Sequence, residues 1–309
     1  MDNNYVPPNF LQMMKLLLPF TLTWESKPYT IDELQKKAVK ECKENRRQDK
    51  ITIFNRFTSA LLEGFRTKGK DYGQRIELMN KHVKNFSDIT ESNVHTILRE
   101  NKYSLKTRAI EIITDTKQIV EPASFQWEQY FLKAESEYER GYTDDIFLKI
   151  KGVGNKVRDF ALSEFSLCFC AIDRHVADVI RRTGLLLHGY GQEDFGTSPS
   201  ENYDFLQRLI IHFARDSGWS LSSGKGYSPK EIDATFWFLG QEKGICKNKP
   251  ECYHCPISKI CLTYLNWKGT PIKPPSELRM QRQEEQRLIR QWIKEHPEEA
   301  EELRKKSGF

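Results

Sequence analysis

Lys151-Gly152-Val153-Gly154-Asn155-Lys156 is the stretch that decides the fold, and Ala171-Ile172-Asp173-Arg174-His175 follows it, with Asp173 seventeen residues after Lys156. Ahead of the glycines, Asp144 to Ile150 reads as a short helix with Thr143 or Asp144 as its N-cap. Gly152 and Gly154 permit a tight turn, because glycine reaches positive φ without steric cost. Asn155 is placed to cap the next helix, which carries Val157, Phe160, Ala161 and Phe165 on or near one apolar face. Two helices joined by so short a turn leave backbone N–H groups pointing outward at a helix start. Free donors and the helix dipole suit a phosphate there. An ordinary helix-turn-helix corner has the same local sequence, so the surrounding pattern must discriminate.

A second signature lies downstream, Cys246-x5-Cys252-x2-Cys255-x5-Cys261, with Pro250 and Pro256 beside it. Four thiolates at short spacing can surround a metal centre. Without a secretory signal, such a group reads as metal-binding rather than disulfide-forming. The residues alone leave open a zinc knot or unmetallated thiols. Cys42, Cys168 and Cys170 read as core fillers, the last two within the apolar run Leu167 to Ile172.

Taken together, these motifs resemble the helix-hairpin-helix DNA glycosylase superfamily, the endonuclease III group in particular. Its members carry L-P-G-V/I-G-x-K on the hairpin and V/I-D-x-H some eighteen residues later; Gly152, Val153, Gly154, Lys156, Asp173 and His175 match. Lys151 stands where proline is usual, as in some 8-oxoguanine enzymes of the superfamily. The group's C-x6-C-x2-C-x5-C holds a [4Fe–4S] cluster, and this chain is one residue shorter in the first gap.

The resemblance covers roughly residues 30 to 268 and implies a fold: all-α, two helical lobes flanking a DNA-binding cleft. It places a six-helix barrel with the hairpin at 51–170 and the iron–sulfur lobe at 171–270; N-terminal helices (1–50) are expected to pack on the cluster lobe, and a charged extension at 271–309 lies outside the resemblance. It implies catalysis by Lys156 and Asp173, DNA binding by Gly152, Val153, Gly154 and Asn155, and a [4Fe–4S] cluster on Cys246, Cys252, Cys255 and Cys261. The implied activity is base-excision repair: a DNA glycosylase with β-lyase activity, removing oxidised bases, pyrimidines first. An 8-oxoguanine glycosylase/lyase is the alternative within the superfamily. A non-catalytic iron–sulfur DNA-binding protein is the alternative of another class. The expected partner is double-stranded DNA with a damaged base, met by a monomer.

The chemistry explains why these residue types are needed. Lysine as an amine nucleophile attacks the sugar C1′, expels the base and forms a Schiff base. A free lysine, with a pKa of about 10.4, is mostly protonated at neutral pH, so the role demands desolvation or neighbouring positive charge. Asp173 would stabilise the cationic sugar or assist proton transfer; as an N-cap for the helix after it, an aspartate is equally at home. His175 carries no assigned step. Lys247 and Lys249, between the first two cysteines, could add phosphate contacts.

Composition agrees without deciding. The 309 residues suffice for one large or two ordinary domains, and 38% hydrophobic with 29% charged residues is a helical, soluble balance. A net charge of +5 admits nucleic acid as a partner. Met13 to Phe20 is too short for a membrane span and lacks a basic leader, so a cytoplasmic, nucleoid-associated protein is expected.

Along the rest of the chain, helical patterns run from Thr30 to Lys50 with Leu34 and Val39 inward, from Ile51 to Gly64, and twice between Ser87 and Val120, split near Asn101 to Tyr103. Ser124 to Glu139, the Val176/Val179/Ile180 stripe, Tyr203 to Phe213 and Glu231 to Leu239 read likewise. Arg66 to Gly73 is a basic loop, where the resemblance places residues that wedge into the gap left by a flipped base. Ser276 to Phe309 carries eight acidic and eight basic residues and reads as a solvated helix.

Overall fold

The computed structural model of the chain describes residues 9–65, 72–103, 106–138, 144–185, 199–247, 249–267, 291 and 294–299. Most of the basic loop, the segment 186–198 and most of the C-terminal extension lie outside the described residues. The fold is mostly helical. No described helix is long and apolar enough to cross a membrane.

The mostly helical fold agrees with the all-α expectation, with one short pair of strands near the N-terminus among the described residues. After α1 (Phe10–Leu17), β1 (Thr21–Trp24) and β2 (Lys27–Thr30) form an antiparallel hairpin in the register Thr21↔Thr30 to Trp24↔Lys27. The residue types favour strand over helix: threonines at 21, 23 and 30, aromatics at 24 and 29, and Pro28, which cannot sit inside a helix. Glu25 and Ser26 turn the hairpin at positive φ, 48° and 64°. Trp24 lies edge-on to Trp237 and Phe238.

Thr30 ends the hairpin and starts α2 (Ile31–Arg46) through a capping box with Glu33. Two helix groups follow. In the first, α3 (Lys50–Leu61) is central and packs on α4 (Tyr72–His82), α6 (Lys106–Val120) and α8 (Asn155–Ser163), while α5 (Glu91–Glu100) bridges α4 and α6. α3 buries Ile53, Phe54, Phe57, Ala60 and Leu61. Phe57 meets Trp127 and Tyr130 of α7 (Trp127–Glu137), and its ring centre stands 4.6 Å from that of Phe147. Burying one such ring contributes about 1.5–3 kcal/mol. Phe147 sits just ahead of the hairpin glycines, so this aromatic knot fixes the hairpin's approach.

In the second group α11 (Pro229–Gly240) is central and packs on α2, α9 (Arg174–Thr183) and α10 (Pro199–Asp216). Gln35 of α2 donates to Glu231 O and Thr235 Oγ1, both at 3.1 Å. Phe10 of α1 stacks on Phe213 of α10, centroids 4.7 Å apart. α9 and α11 approach closely at Gly240, where a Cβ would stand 2.6 Å from His175 O. The inward face of α2 runs through Ile31, Leu34, Gln35, Cys42 and Asn45, with Val39 only half-buried.

Candidate active site and cysteine centre

The hairpin begins in the core. Residues 144–150 do not form an α-helix: Ile146–Lys149 is a single 3-10 turn, and Asp144 is not its N-cap, while Thr143 lies outside the described residues. Asp145 caps it, its Oδ1 accepting the Phe147 N–H at 2.8 Å. Asp145 succeeds because its carboxylate is buried and also accepts Tyr130 Oη at 2.8 Å. Phe147, Ile150 and Val153 are buried, so three apolar anchors tie the turn down. Gly152 lies at φ 92°, a conformation that favours glycine. From α6, Arg108 Nη1 reaches Lys151 O at 3.4 Å.

Asn155 does not cap α8; it is the first residue of that helix. Gly154, extended at φ −101° and ψ 175°, is the N-cap and supplies no side-chain acceptor. The first turn therefore keeps donors without a side-chain cap. Gly154 and Lys156 are exposed, and Asn155 is half-buried. A Cβ on Gly154 would meet nothing within 4 Å. The fold itself thus does not demand glycine here. Lys156 makes no hydrogen bond or ion pair among the described residues. Its ammonium sits at the positive end of the helix dipole, and no acidic residue lies in the first turn to compensate.

The expected apolar stripe on α8 holds in part, since Ala161 and Phe165 are buried. Val157 and Phe160 are half-buried, while Arg158 and Asp159 are fully buried. Two charges enter the core because they are paired and hydrogen-bonded. Arg158 Nε donates to Asp159 Oδ1 at 2.7 Å; Asp159 Oδ2 accepts Tyr203 Oη at 2.8 Å and Gln207 Nε2 at 2.7 Å, both from α10. Tyr203 Oη also donates to Cys170 O at 3.3 Å. This network straps the helix that carries Lys156 to the irregular run that leads to Asp173.

Asp173 is the N-cap of α9, its Oδ1 accepting the Val176 N–H at 2.9 Å. No ion pair joins it to Lys156. His175 is a clamp: its Nδ1 donates to Gly240 O at 2.9 Å. Asp233, which the sequence reading passed over, stands near Asp173 from α11. Burial, reinforced by the Asp173 charge, pushes its carboxyl up to about 7, against the pull of Lys230 and the Ala171 N–H. A charged residue among Ile232, Ala234 and Phe236 was the available signal.

The four downstream cysteines are free thiols and line one cavity with Val179, Leu239, Ile245 and Ile257. Two 3-10 turns, Cys252–His254 and Ser258–Ile260, present them ahead of α12 (Leu262–Trp267). Burial pushes the Cys255 thiol up to about 12 and Cys261 up to about 11. No three His, Cys, Asp or Glu side chains among the described residues are set to hold a metal ion. Arg182, buried at the end of α9, organises the loop. Its Nη1 donates to the carbonyls of Cys246 and Lys247 and lies 3.7 Å from Cys246 Sγ. Its own carbonyl accepts Cys261 Sγ at 3.2 Å and Thr263 Oγ1 at 2.9 Å. Arg182 Nε is buried with no protein acceptor. Lys247 is paired with Glu251, whereas Lys249 is exposed. Cys42, Cys168 and Cys170 are buried, and burial raises Cys42 and Cys168 to about 12, as inert core thiols require.

No protein-family model, curated protein or solved structure matches the chain.

Proposed function

We propose that the chain is a base-excision DNA glycosylase with β-lyase activity, acting on oxidised bases in duplex DNA. The observation that carries this reading is the start of α8. A glycine turn at positive φ delivers an exposed lysine and N–H donors free of any side-chain cap, with nothing crowding Gly154. A phosphate approaching the backbone supplies the reason for glycine that the fold does not. Backbone donors at Gly152, Gly154 and Asn155 position DNA without reading its sequence, while the Val153 N–H, already donated to Ile150 O at 3.0 Å, holds the turn that presents them.

A base within a duplex is beyond reach, so it is flipped out, at a cost of a few kcal/mol of unstacking. The neutral amine of Lys156 attacks C1′; the N-glycosidic bond breaks and its electron pair leaves with the base, which is protonated. The amine sheds a proton and the C1′–O4′ bond opens, O4′ leaving with the electron pair and taking a proton, which gives the iminium; this acidifies C2′–H, and loss of that proton expels the 3′ phosphate by β-elimination. Asp173, with one oxygen engaged by Val176 N–H, keeps the other for the cationic sugar. The helical groups about α3 and α11 would be the two lobes of the cleft.

Cys246, Cys252, Cys255 and Cys261 would hold a [4Fe–4S] cluster. Four thiols on a common cavity, and a buried guanidinium N–H lacking an acceptor beside them, suit a sulfur-rich group whose thiolate-bound form is net anionic and accepts hydrogen bonds at sulfur. Bound there, such a group supplies cross-linking of the loop rather than chemistry at the sugar. Lys249 from that loop would reach a phosphate.

A panel of duplexes, each with one lesion, tests the reading. Thymine glycol or 5-hydroxycytosine should be cut faster than 8-oxoguanine opposite cytosine. The reverse order moves the chain to the purine branch, which Lys151 before Gly152 favours, with the Lys156 chemistry intact. Binding without any cleavage, abasic sites included, would make it the non-catalytic DNA-binding protein instead.

A further inference from the structure

We propose that Asp233 is the proton-holding partner of Asp173: a buried carboxyl behind the N-cap of α9 that sets the charge beside the Lys156 site. The proposal rests on reading Lys156 and Asp173 as the reacting pair. Asp233 lies on the inner face of α11, the helix that packs closely on α9. Its Oδ1 is buried with no hydrogen-bond partner among the described residues. An ionised oxygen in that position has neither water nor a donor to offset its desolvation. A protonated carboxyl does not carry that cost.

The groups facing Asp233 come from three sides. Lys230, one turn earlier on α11, and the Ala171 N–H favour its ionised form; Asp173 opposes it. The Cys170 thiol is a further neighbour, kept protonated by burial and by the Asp233 and Asp159 charges. Lys230 is partly drawn away, its Nζ donating to Ser163 Oγ at 3.3 Å. The balance puts the exchange of one proton in the neutral range, where burial and Asp173 together hold Asp233 at about 7. Below that range Asp233 adds no charge beside Asp173. Above it two negative charges share the site, and the field at a cationic sugar strengthens.

Two measurements separate this from the functional reading. The first needs no turnover: carboxyl 13C NMR of the full chain labelled at aspartate. One carboxyl should titrate near neutrality, be missing in Asp233→Asn, and move to lower pH in Asp173→Asn. Aspartates titrating only in the ordinary carboxylate range, or a neutral titration indifferent to Asp173→Asn, would overturn the pairing. The second is the pH profile of cleavage at an abasic site. The parent should show an inflection in the neutral range that Asp233→Asn abolishes while borohydride trapping persists; an unchanged profile would remove Asp233 from the chemistry. Absence of cleavage in the parent would instead strike the functional reading, leaving the NMR result to judge the pair.

Discussion

Asp173 accepts the backbone N–H of Val176 at 2.9 Å, so the carboxylate proposed to face the reacting sugar is also the cap that starts α9. The two roles separate by substitution. Asparagine caps a helix as well as aspartate does but carries no charge. Asp173→Asn should therefore fold with nearly unchanged thermal stability and lose turnover by orders of magnitude. Asp173→Ala should lose turnover and, in addition, about 1 kcal/mol of stability from the missing cap. Calorimetry beside a cleavage assay checks both.

The Arg182 guanidinium is the organiser of the cysteine loop. Arg182→Met keeps the apolar stem but takes the donor from the carbonyls of Cys246 and Lys247. A buried carbonyl left without its donor costs about 1–3 kcal/mol. The parent, purified without oxygen, should be brown, absorb near about 400 nm and hold about four irons per chain. Arg182→Met should retain less iron and bleach faster in air. A colourless parent with one zinc would contradict the cluster assignment.

The strap between α8 and α10 predicts a hierarchy. Tyr203→Phe removes one hydrogen bond to Asp159, which keeps Gln207 and Arg158, and should cost about 1 kcal/mol. Asp159→Ala takes from buried Arg158 its carboxylate partner at 2.7 Å, with Asp145 3.9 Å away, and should cost about 3–5 kcal/mol. Urea unfolding of the two variants should keep that order.

Asp233 gives stability a pH dependence of known sign. Its folded value of about 7 lies above the unfolded 3.8, so its contribution is complete below pH 3.8 and is lost as pH rises through 7. Asp233→Asn has no such loss. The stability of the parent relative to this variant should fall by up to about 4 kcal/mol between acid and alkaline pH. A difference independent of pH would show that Asp233 ionises freely.

Much of the helical frame was legible because its signals are local. The apolar recurrence from Ile53 to Leu61 and from Val176 to Ile180 marks buried faces that need no tertiary information. The Gly152 turn was legible because positive φ has a residue signature. The hairpin at Thr21–Thr30 was not: four-residue strands carry too little alternation to stand out beside helices. Nor was the cap of α8, since asparagine favours a cap on average and Gly154 takes it here by backbone geometry alone. Arg158, Asp159, Arg182 and Asp233 were beyond reach for one reason. Their burial depends on partners 44 to 81 residues away or on neighbours across α9, and such pairings leave no local pattern.

The central claim is that Lys156 is the nucleophile. Borohydride reduction during reaction with an abasic duplex measures this most directly, because it converts a Schiff base into a permanent enzyme–DNA adduct. The parent should form the adduct, and Lys156→Ala should form none while binding the same DNA with undiminished affinity. An adduct that persists in Lys156→Ala would place the nucleophile elsewhere and contradict the account.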